Sequence, residues 1–317
     1  MQAMKTTQAQ RLWKNFQKKV LRNWVLYLFL LPAVVYLILF DYKPMVGVVI
    51  AFKNYKARAG IWASPWASMN GFYHFHRFLH LHNFWDLIKN TLTLSLYSLA
   101  LFPAPIILAL FMHSCESKRL KSVCQYVTYA PHFISTVVIV GMINIFFSPS
   151  NGLIAQIGKQ TGLLDGYLMV LTSPTAFKHL YTLSGTWQGI GWGSIIYLAA
   201  LSSVDKVLHE AAMIDGASRV QRILHIDIPC ILPTVIIMFI LRMGSVMGVG
   251  YEKVYLMQNS LNISASEVIS TYVYKQGLLN AQYSFSTAVG LFNSAINIIL
   301  MVTFNFISRK VSETSLF

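Results

Sequence analysis

The sequence predicts an all-α membrane protein with six transmembrane helices. Of its 317 residues, 55% are hydrophobic and only 11% are charged, whereas about a quarter are charged in an ordinary soluble domain. The apolar residues fall in uncharged blocks of roughly 17 to 33 residues, the length class that crosses a bilayer as a helix. These blocks lack the two-residue alternation of a membrane β-barrel. Composition and pattern together therefore exclude a soluble enzyme.

The charge-free stretches define the predicted spans. They are 24–40, 90–112, about 124–147, about 180–200, about 231–251 and about 285–307. A basic segment precedes the first block, as in a signal peptide, but Asp41 and Tyr42 follow it in place of a small-residue cleavage site, so we interpret it as an uncleaved span. The predicted organisation is a basic tail (1–22), a membrane domain (23–310) and a C-terminal tail (311–317).

The distribution of basic residues predicts that both termini are cytoplasmic. The N-terminal tail, the loops 114–121 and 202–227, and the residues after the last span, which include Arg309 and Lys310, carry 14 Lys and Arg over about 67 positions, whereas the opposite loops carry nine over about 108. The denser set belongs inside, and an even number of spans agrees with this orientation. Topology thus explains the net charge of +14, and no nucleic-acid partner is predicted.

The loop 202–229 contains the clearest functional pattern, beginning SSVDKVLHEAAMIDG. Ser202 followed by Asp205 resembles a capping start, which predicts a helix from about 203 to 214. Gly216 permits the left-handed conformation that ends a helix. The predicted helix has an apolar stripe suited to docking on another protein, formed by Val204, Val207, Leu208, Ala211 and Ile214.

A second short helix is predicted after this glycine elbow. Ser218 and Gln221 have the spacing of a capping box, and Pro229 is expected to stop the helix that they open. The loop is therefore expected to consist of two short helices joined by a sharp bend.

This loop resembles the EAA loop of bacterial ABC importer permeases. The matching residues are Glu210, Ala211, Ala212, Asp215, Gly216, Ala217, Ile226 and Pro229. Ile223 and Ile228 stand where Phe and Leu are common in that family, and both remain apolar. The stretches 129–142, 146–154, 267–278 and 283–297 are similar to the polysaccharide- or oligosaccharide-type permeases of the carbohydrate branch.

The resemblance implies a type I ABC importer architecture in which this chain performs no bond chemistry. The EAA loop is then the ATPase-coupling element, in which Glu210 contacts a basic residue of the ATPase, Gly216 forms the elbow and Pro229 starts the next membrane helix. The implied partners are a second homologous permease, a dimer of ATP-binding cassette ATPases, and a periplasmic or lipid-anchored solute-binding protein. No GxxxxGK[ST] stretch is present, so no cofactor is predicted in this chain, and ATP and Mg²⁺ belong to the ATPase.

Polar and aromatic residues in or beside the predicted spans are candidates for the substrate pathway. They are Trp187, Trp192, Arg242, Tyr251, Glu252, Asn293 and Asn297. An Arg in mid-membrane costs roughly 2.5–3.5 kcal/mol unless it faces protein or water, so Arg242 serves either a gate or an interhelical pair. The two Asn either line a sugar path or hydrogen-bond between helices. The two Trp either stack on sugar rings or anchor at the membrane interface.

No metal site is predicted. The outer segment 41–84 contains a histidine cluster, HFHRFLHLH, but no acidic or thiol partner accompanies it, and interfacial aromatic and His residues are the simpler interpretation. The three cysteines have neither a CxxC pattern nor a disulfide framework.

The charge of the outer segment bears on the cargo. It carries Lys43, Lys53, Lys56, Arg58 and Arg77 against Asp41 alone, which favours an acidic oligosaccharide such as alginate or another uronate oligomer. Contacts with anionic lipid or a binding protein explain the same charge. The predicted function is import of an oligosaccharide across the cytoplasmic membrane; the alternatives are a permease for a non-sugar solute, a secondary transporter and a membrane-embedded enzyme.

Overall fold

The computed structural model describes residues 22–149, 151–161, 170–312 and 315–316. These residues form helices and turns, with one isolated antiparallel bridge between Lys53 and Trp66. The predicted all-α class is confirmed. Most of the two predicted tails lies outside the described residues.

We number the longer helices in chain order. They are α1 (Trp24–Phe52), α2 (Tyr73–Leu79), α3 (Phe84–Ser114), α4 (Lys118–Phe133), α5 (Thr136–Phe146), α6 (Leu153–Thr161), α7 (Pro174–Ser202), α8 (Lys206–Ile214), α9 (Arg219–Met243), α10 (Tyr251–Met257), α11 (Ile269–Tyr274) and α12 (Tyr283–Ser312). Short turns of helix lie at Gly60–Ala63, Met69–Gly71 and Ile263–Ser266, and a π-helical turn, Lys275–Leu279, extends α11.

Four helices in the described part of the chain are long and apolar enough to cross a membrane, namely α1, α3, α9 and α12. A fifth span results if α4 and α5 are counted together. The predicted span 180–200 falls within α7, which has 29 residues but contains many Gly, Ser and Thr residues among the apolar ones. Its length is sufficient to cross a bilayer, whereas its composition is less apolar than that of the other four helices.

The third predicted span, 124–147, is not one continuous helix. The axes of α4 and α5 differ by 100°, because α4 ends in a 3₁₀ turn that contains Pro131, and Pro lacks the N–H that a continuing helix needs. Ser135 then caps α5 by accepting a hydrogen bond from the Val138 N–H. The Gln188 side chain of α7 donates to the Ile134 carbonyl at 2.9 Å, so the break is satisfied by a neighbouring helix.

The fifth predicted span, 231–251, is wrong at both ends. The helix α9 begins at Arg219 and runs through Pro229, contrary to the expectation that a separate helix stops before this proline. A π-helical turn, Ile223–Asp227, lies directly before it, and this wider turn accommodates the proline ring and its missing N–H. At the other end α9 stops at Met243, and residues 244–250 form a turn.

Three apolar clusters hold the helices together. The one beside the loop 202–229 joins α3, α7 and α9 and consists of Ala109, Leu110, Tyr197, Leu201 and Ile231. The other two join α5, α7 and α10, and α2, α11 and α12. The loop is thus attached to a packed core at the point where it leaves α7 and where it enters α9.

The outer segment is a folded layer and not a uniformly basic surface. Lys53 is only 5% exposed, and its Nζ donates to the carbonyls of Ile61 and Trp62 at 3.0 and 2.8 Å. Arg77 lies over the Phe285 ring at 4.4 Å. Of the five cations expected to face outward, Lys53 is therefore buried, whereas Lys43, Lys56, Arg58 and Arg77 are exposed.

Three of the histidines in this segment also have protein partners. His74 Nε2 lies 3.1 Å from the Asn54 side-chain oxygen, and burial lowers the pKa of His74. The rings of His76 and His80 stack at 4.0 Å.

Candidate functional site

The first arm of the loop is α8, and its capping residue differs from the predicted one. Because α7 continues through Ser202, this serine is not a helix cap. Asp205 is the cap, since its Oδ1 accepts a hydrogen bond from the Val207 N–H at 2.9 Å. The helix therefore begins at Lys206 and not near 203.

The elbow forms as the sequence predicts. Gly216 has a φ of +79°, the left-handed conformation that favours glycine. The Ala217 N–H donates to the Ala212 carbonyl at 2.8 Å, and the Gly216 N–H donates to the Met213 carbonyl at 3.1 Å. These two bonds form a Schellman motif. The motif gives a structural reason for the small residues on either side of Asp215, because it places Ala212 and Ala217 against each other at the end of α8.

The second arm opens with the predicted capping box. Ser218 Oγ accepts from the Gln221 N–H at 3.4 Å, and Gln221 Oε1 accepts from the Ser218 N–H at 2.8 Å. Arg219 then forms an ion pair with Glu116, which follows α3 in the chain. The start of the second arm is thus fixed both by its own cap and by the neighbouring loop.

The loop presents an apolar surface on both arms. Its exposed members are Val207, Leu208, Met213, Ile214, Val220 and Leu224, and Ile214 is 87% exposed. Among the EAA positions, Glu210, Ala211, Asp215, Gly216 and Pro229 are exposed, whereas Ala212, Ala217 and Ile226 are partly buried. A contiguous apolar patch on a polar loop is typical of a protein docking site.

A second candidate site is a cavity of about 540 Å³ between α3, α7 and α9. A smaller cavity of about 150 Å³ adjoins it, and the walls of both include Ser98, Tyr181, Arg242 and Ser245. Gly185, Gly189 and Gly193 of α7 also line the larger cavity. We call the two volumes together the arginine cavity.

The arginine cavity is cationic. Neither wall contains an Asp or Glu among its described residues, and no salt bridge joins Arg242 to any residue in the described part of the chain. Lys253 of α10 also lines the larger cavity and donates to the Tyr181 carbonyl at 3.2 Å. Burial lowers the pKa of Lys253 to about 8, so this amine remains largely protonated at pH 7. The arrangement can therefore hold an anionic group.

The seven predicted pathway residues do not converge on one cavity. Of these, the arginine cavity contains Arg242 alone, whereas Tyr251 and Asn293 line a separate cavity of about 520 Å³. Trp192 stacks on His132 at 4.5 Å. Trp187 and Glu252 are exposed and line none of the cavities described here.

The two predicted Asn residues hydrogen-bond the turn 244–250. The Met247 N–H donates to Asn297 Oδ1 at 2.9 Å, and Asn293 Nδ2 donates to the Met247 carbonyl at 3.2 Å. These bonds attach α12 to the turn, while Asn293 also lines the cavity of about 520 Å³, so both alternatives for the pair stay open. The sequence interpretation missed Ser98, Tyr181 and Lys253, although polar residues inside or beside an apolar span are a usable signal.

A bundle of membrane-length helices with a capped, apolar elbow on one side and a polar cavity inside defines the class of a membrane permease. The family described as "Binding-protein-dependent transport system inner membrane component" matches residues 102–313. The chain belongs to this family and is a permease subunit of an ABC importer, which is a transport family and not an enzyme family. The family description also places it in the inner membrane.

Individual relatives match almost the whole chain. Protein LplB of Bacillus subtilis (strain 168) is 41% identical over 293 residues, which cover 92% of this chain and 91% of LplB. The polygalacturonan/rhamnogalacturonan transport system permease protein YteP of the same organism is 37% identical over 305 residues, 96% of this chain and 94% of YteP.

Solved structures agree with the sequence relatives. A chain of a bacterial ABC transporter involved in the import of the acidic polysaccharide alginate has a TM-score of 0.84 and 38% identity, and the match covers 95% of this chain and 99% of that one. The same values of TM-score and identity hold for the alginate transporter in complex with an alginate pentasaccharide-bound periplasmic protein, with 94% and 99% covered.

Proposed function

We propose that this chain forms part of the membrane pathway for an acidic oligosaccharide that is imported at the expense of ATP. The observation that carries the proposal is the arginine cavity, in which Arg242 lacks an ion-pair partner among the described residues. A guanidinium forms two parallel hydrogen bonds with a carboxylate, so each passing uronate group supplies the counter-charge that this arginine needs.

The printed names of the relatives support this cargo. The solved transporter imports alginate, which its title calls an acidic polysaccharide, and YteP is named for polygalacturonan and rhamnogalacturonan. Arabinooligosaccharides, in contrast, are named for a more distant relative, AraP of Bacillus subtilis (strain 168), at 26% identity. The proposed cargo is therefore an oligomer of uronate residues.

The proposed architecture is a type I importer with six spans and both termini in the cytoplasm. In addition to α1, α3, α9 and α12, the bent pair α4 and α5 forms one span and α7 another. At a rise of 1.5 Å per residue, the 29 residues of α7 extend about 43 Å, which exceeds a hydrocarbon core of about 30 Å. Because α7 faces α3 and α9 across the arginine cavity, part of its surface contacts protein and not lipid.

The proposed assembly contains four kinds of subunit. A second, homologous permease completes the pathway, a solute-binding protein delivers the sugar outside, and two ATPase subunits bind ATP and Mg²⁺ and close when ATP binds. In the loop 202–229, Glu210 contacts a basic residue of the ATPase and Gly216 maintains the elbow. Closure of the ATPases is transmitted through this loop as a rigid-body movement of the helices.

The cargo is tested by uptake into vesicles that contain the complete transporter. We expect Arg242→Gln to reduce uptake of a uronate oligomer at least about tenfold, which corresponds to ~1.4 kcal/mol. Uptake by Arg242→Lys is expected to lie between that of the wild type and that of Arg242→Gln, because lysine keeps the charge but lacks the planar guanidinium. Arg309→Gln, at the far end of α12, is the matched control. Undiminished uptake of the acidic oligomer by Arg242→Gln, or preference of the wild type for a neutral oligomer of equal length, contradicts the proposed cargo.

A further inference from the structure

Three potential metal ligands meet beneath the loop 202–229, outside the proposed sugar pathway. His113 lies in the last turn of α3, His209 in the middle of α8, and Asp227 in the π-helical turn Ile223–Asp227 of α9. Asp227 Oδ1 lies 3.1 Å from His209 Nε2 and 4.0 Å from His113 Nε2. All three ligand atoms lie within 4.8 Å of one another.

The central member of this group is a buried carboxylate. The Asp227 side chain is 2% exposed. Neither its Oδ1 nor His209 Nε2 has a hydrogen-bond partner among the described residues, although the two atoms are close together. These two atoms lie at ion-pair distance, 3.1 Å, but without the alignment of a hydrogen bond. Buried charges in proteins are paired or coordinate metals, and a cation held by both atoms would meet this requirement.

The separations suit a small transition-metal ion. Nitrogen and oxygen ligands lie about 2.0–2.2 Å from Zn²⁺, and in a tetrahedral site two such ligands are about 3.3 Å apart. The His209–Asp227 distance, 3.1 Å, is close to this value, whereas His113 Nε2, at 4.0 Å from Asp227 Oδ1, has to move closer to complete the set. Two imidazoles and one carboxylate are ligands that zinc accepts, with a water in the fourth position.

The surroundings provide access for an ion and its water. The three residues line a cavity of about 900 Å³ under the loop. Glu116 and Glu210 line the same cavity and offset part of the positive charge of its four cations, Lys121, Lys206, Arg219 and Arg222. The fourth coordination position would face this volume.

From this geometry we propose that His113, His209 and Asp227 form a regulatory site for a divalent transition metal of the zinc type. The bound ion joins α3 to both arms of the loop, because His209 lies before the elbow and Asp227 after it. It therefore holds the loop in its present position against the core and reduces the movement that coupling requires. The site depends on neither the proposed cargo nor the arginine cavity.

The test is a titration of the purified transporter, containing the full-length chain, with Co²⁺. Tetrahedral Co²⁺ absorbs visible light. The absorbance of Co²⁺ bound elsewhere in the complex is subtracted by comparing each variant with the wild type. We expect His209→Gln and Asp227→Asn each to bind one ion fewer per chain than the wild type. His225→Gln is the matched control, because His225 is an exposed histidine of the same loop whose Nδ1 lies 3.0 Å from the Gln221 carbonyl; it is expected to bind as the wild type does.

A second measurement does not depend on the variants folding. X-ray absorption of the zinc-loaded wild type should show two imidazole nitrogens and one or two oxygens at about 2.0–2.2 Å. Zinc should also inhibit uptake by the wild type and by His225→Gln, and should inhibit His209→Gln at least about tenfold less. Equal metal binding by all variants, a zinc environment without imidazole, or inhibition by acid alone without metal binding overturns the proposal.

Discussion

Gly216 adopts the left-handed backbone conformation that the sequence of the loop predicts. Its positive φ, and the capping bonds of Ser218 and Gln221, involve residues within a few positions of one another, so the local pattern was sufficient to predict them. The environment of Arg242 was not predictable in this way. The helices that form the arginine cavity are distant in sequence, and the residues of its wall come together only when these helices pack.

Substitution of Gly216 tests the elbow at this scale. Gly216→Val should uncouple ATP hydrolysis from uptake without preventing membrane insertion, since a β-branched residue at positive φ is unfavourable by roughly 1–2 kcal/mol and redirects the second arm. Open space surrounds the position of its Cβ, so the effect comes from the backbone and not from a clash. The measurement is the ratio of sugar imported to ATP hydrolysed in reconstituted transporter.

Gly60→Val is the matched control for this variant. Gly60 also has a positive φ, +74°, and open space around its Cβ position, but it lies in the outer segment. A similar strain in that position should leave the coupling ratio unchanged. An unaltered ratio in Gly216→Val argues against the coupling role of the elbow.

At the scale of elements, hydropathy located four of the six predicted spans, or five if α4 and α5 are counted together, but missed their interruptions. The bend between α4 and α5 occurs inside apolar sequence, where a count of charges gives no signal, whereas the end of α9 at Met243 directly follows Arg242. Pro131 was visible, but whether a proline breaks or merely enters a helix depends on its neighbours, as the continuous helix through Pro229 demonstrates. The partners that stabilise these breaks, Gln188 and Asn297, come from other helices.

The turn 244–250 can be tested through one of these partners. Asn297→Leu leaves the Met247 N–H without its acceptor, which should destabilise the turn by about 1–3 kcal/mol. Hydrogen–deuterium exchange should become faster in 244–250, and the position of Arg242 at the end of α9 should become less defined. Asn280→Leu, at an exposed residue of the outer side, should leave this exchange unaltered. Unchanged protection of the turn in Asn297→Leu means that the hydrogen bond contributes little to its stability.

At the scale of the whole molecule, we expect transport and ATP hydrolysis to be performed by different chains. This chain supplies the membrane helices, the arginine cavity and a loop with an exposed apolar surface. The sequence contains no phosphate-binding loop of the GxxxxGK[ST] type. We propose that the energy for uphill transport enters through the loop 202–229 from another polypeptide.

Reconstitution into sealed vesicles tests that claim most directly. The chain alone, supplied with ATP or with an ion gradient, should not accumulate a labelled uronate oligomer. Addition of the second permease, the ATPase subunits and the binding protein should produce accumulation that depends on ATP. If the isolated chain concentrates the oligomer against its gradient, the energy does not come through the loop and the account is wrong.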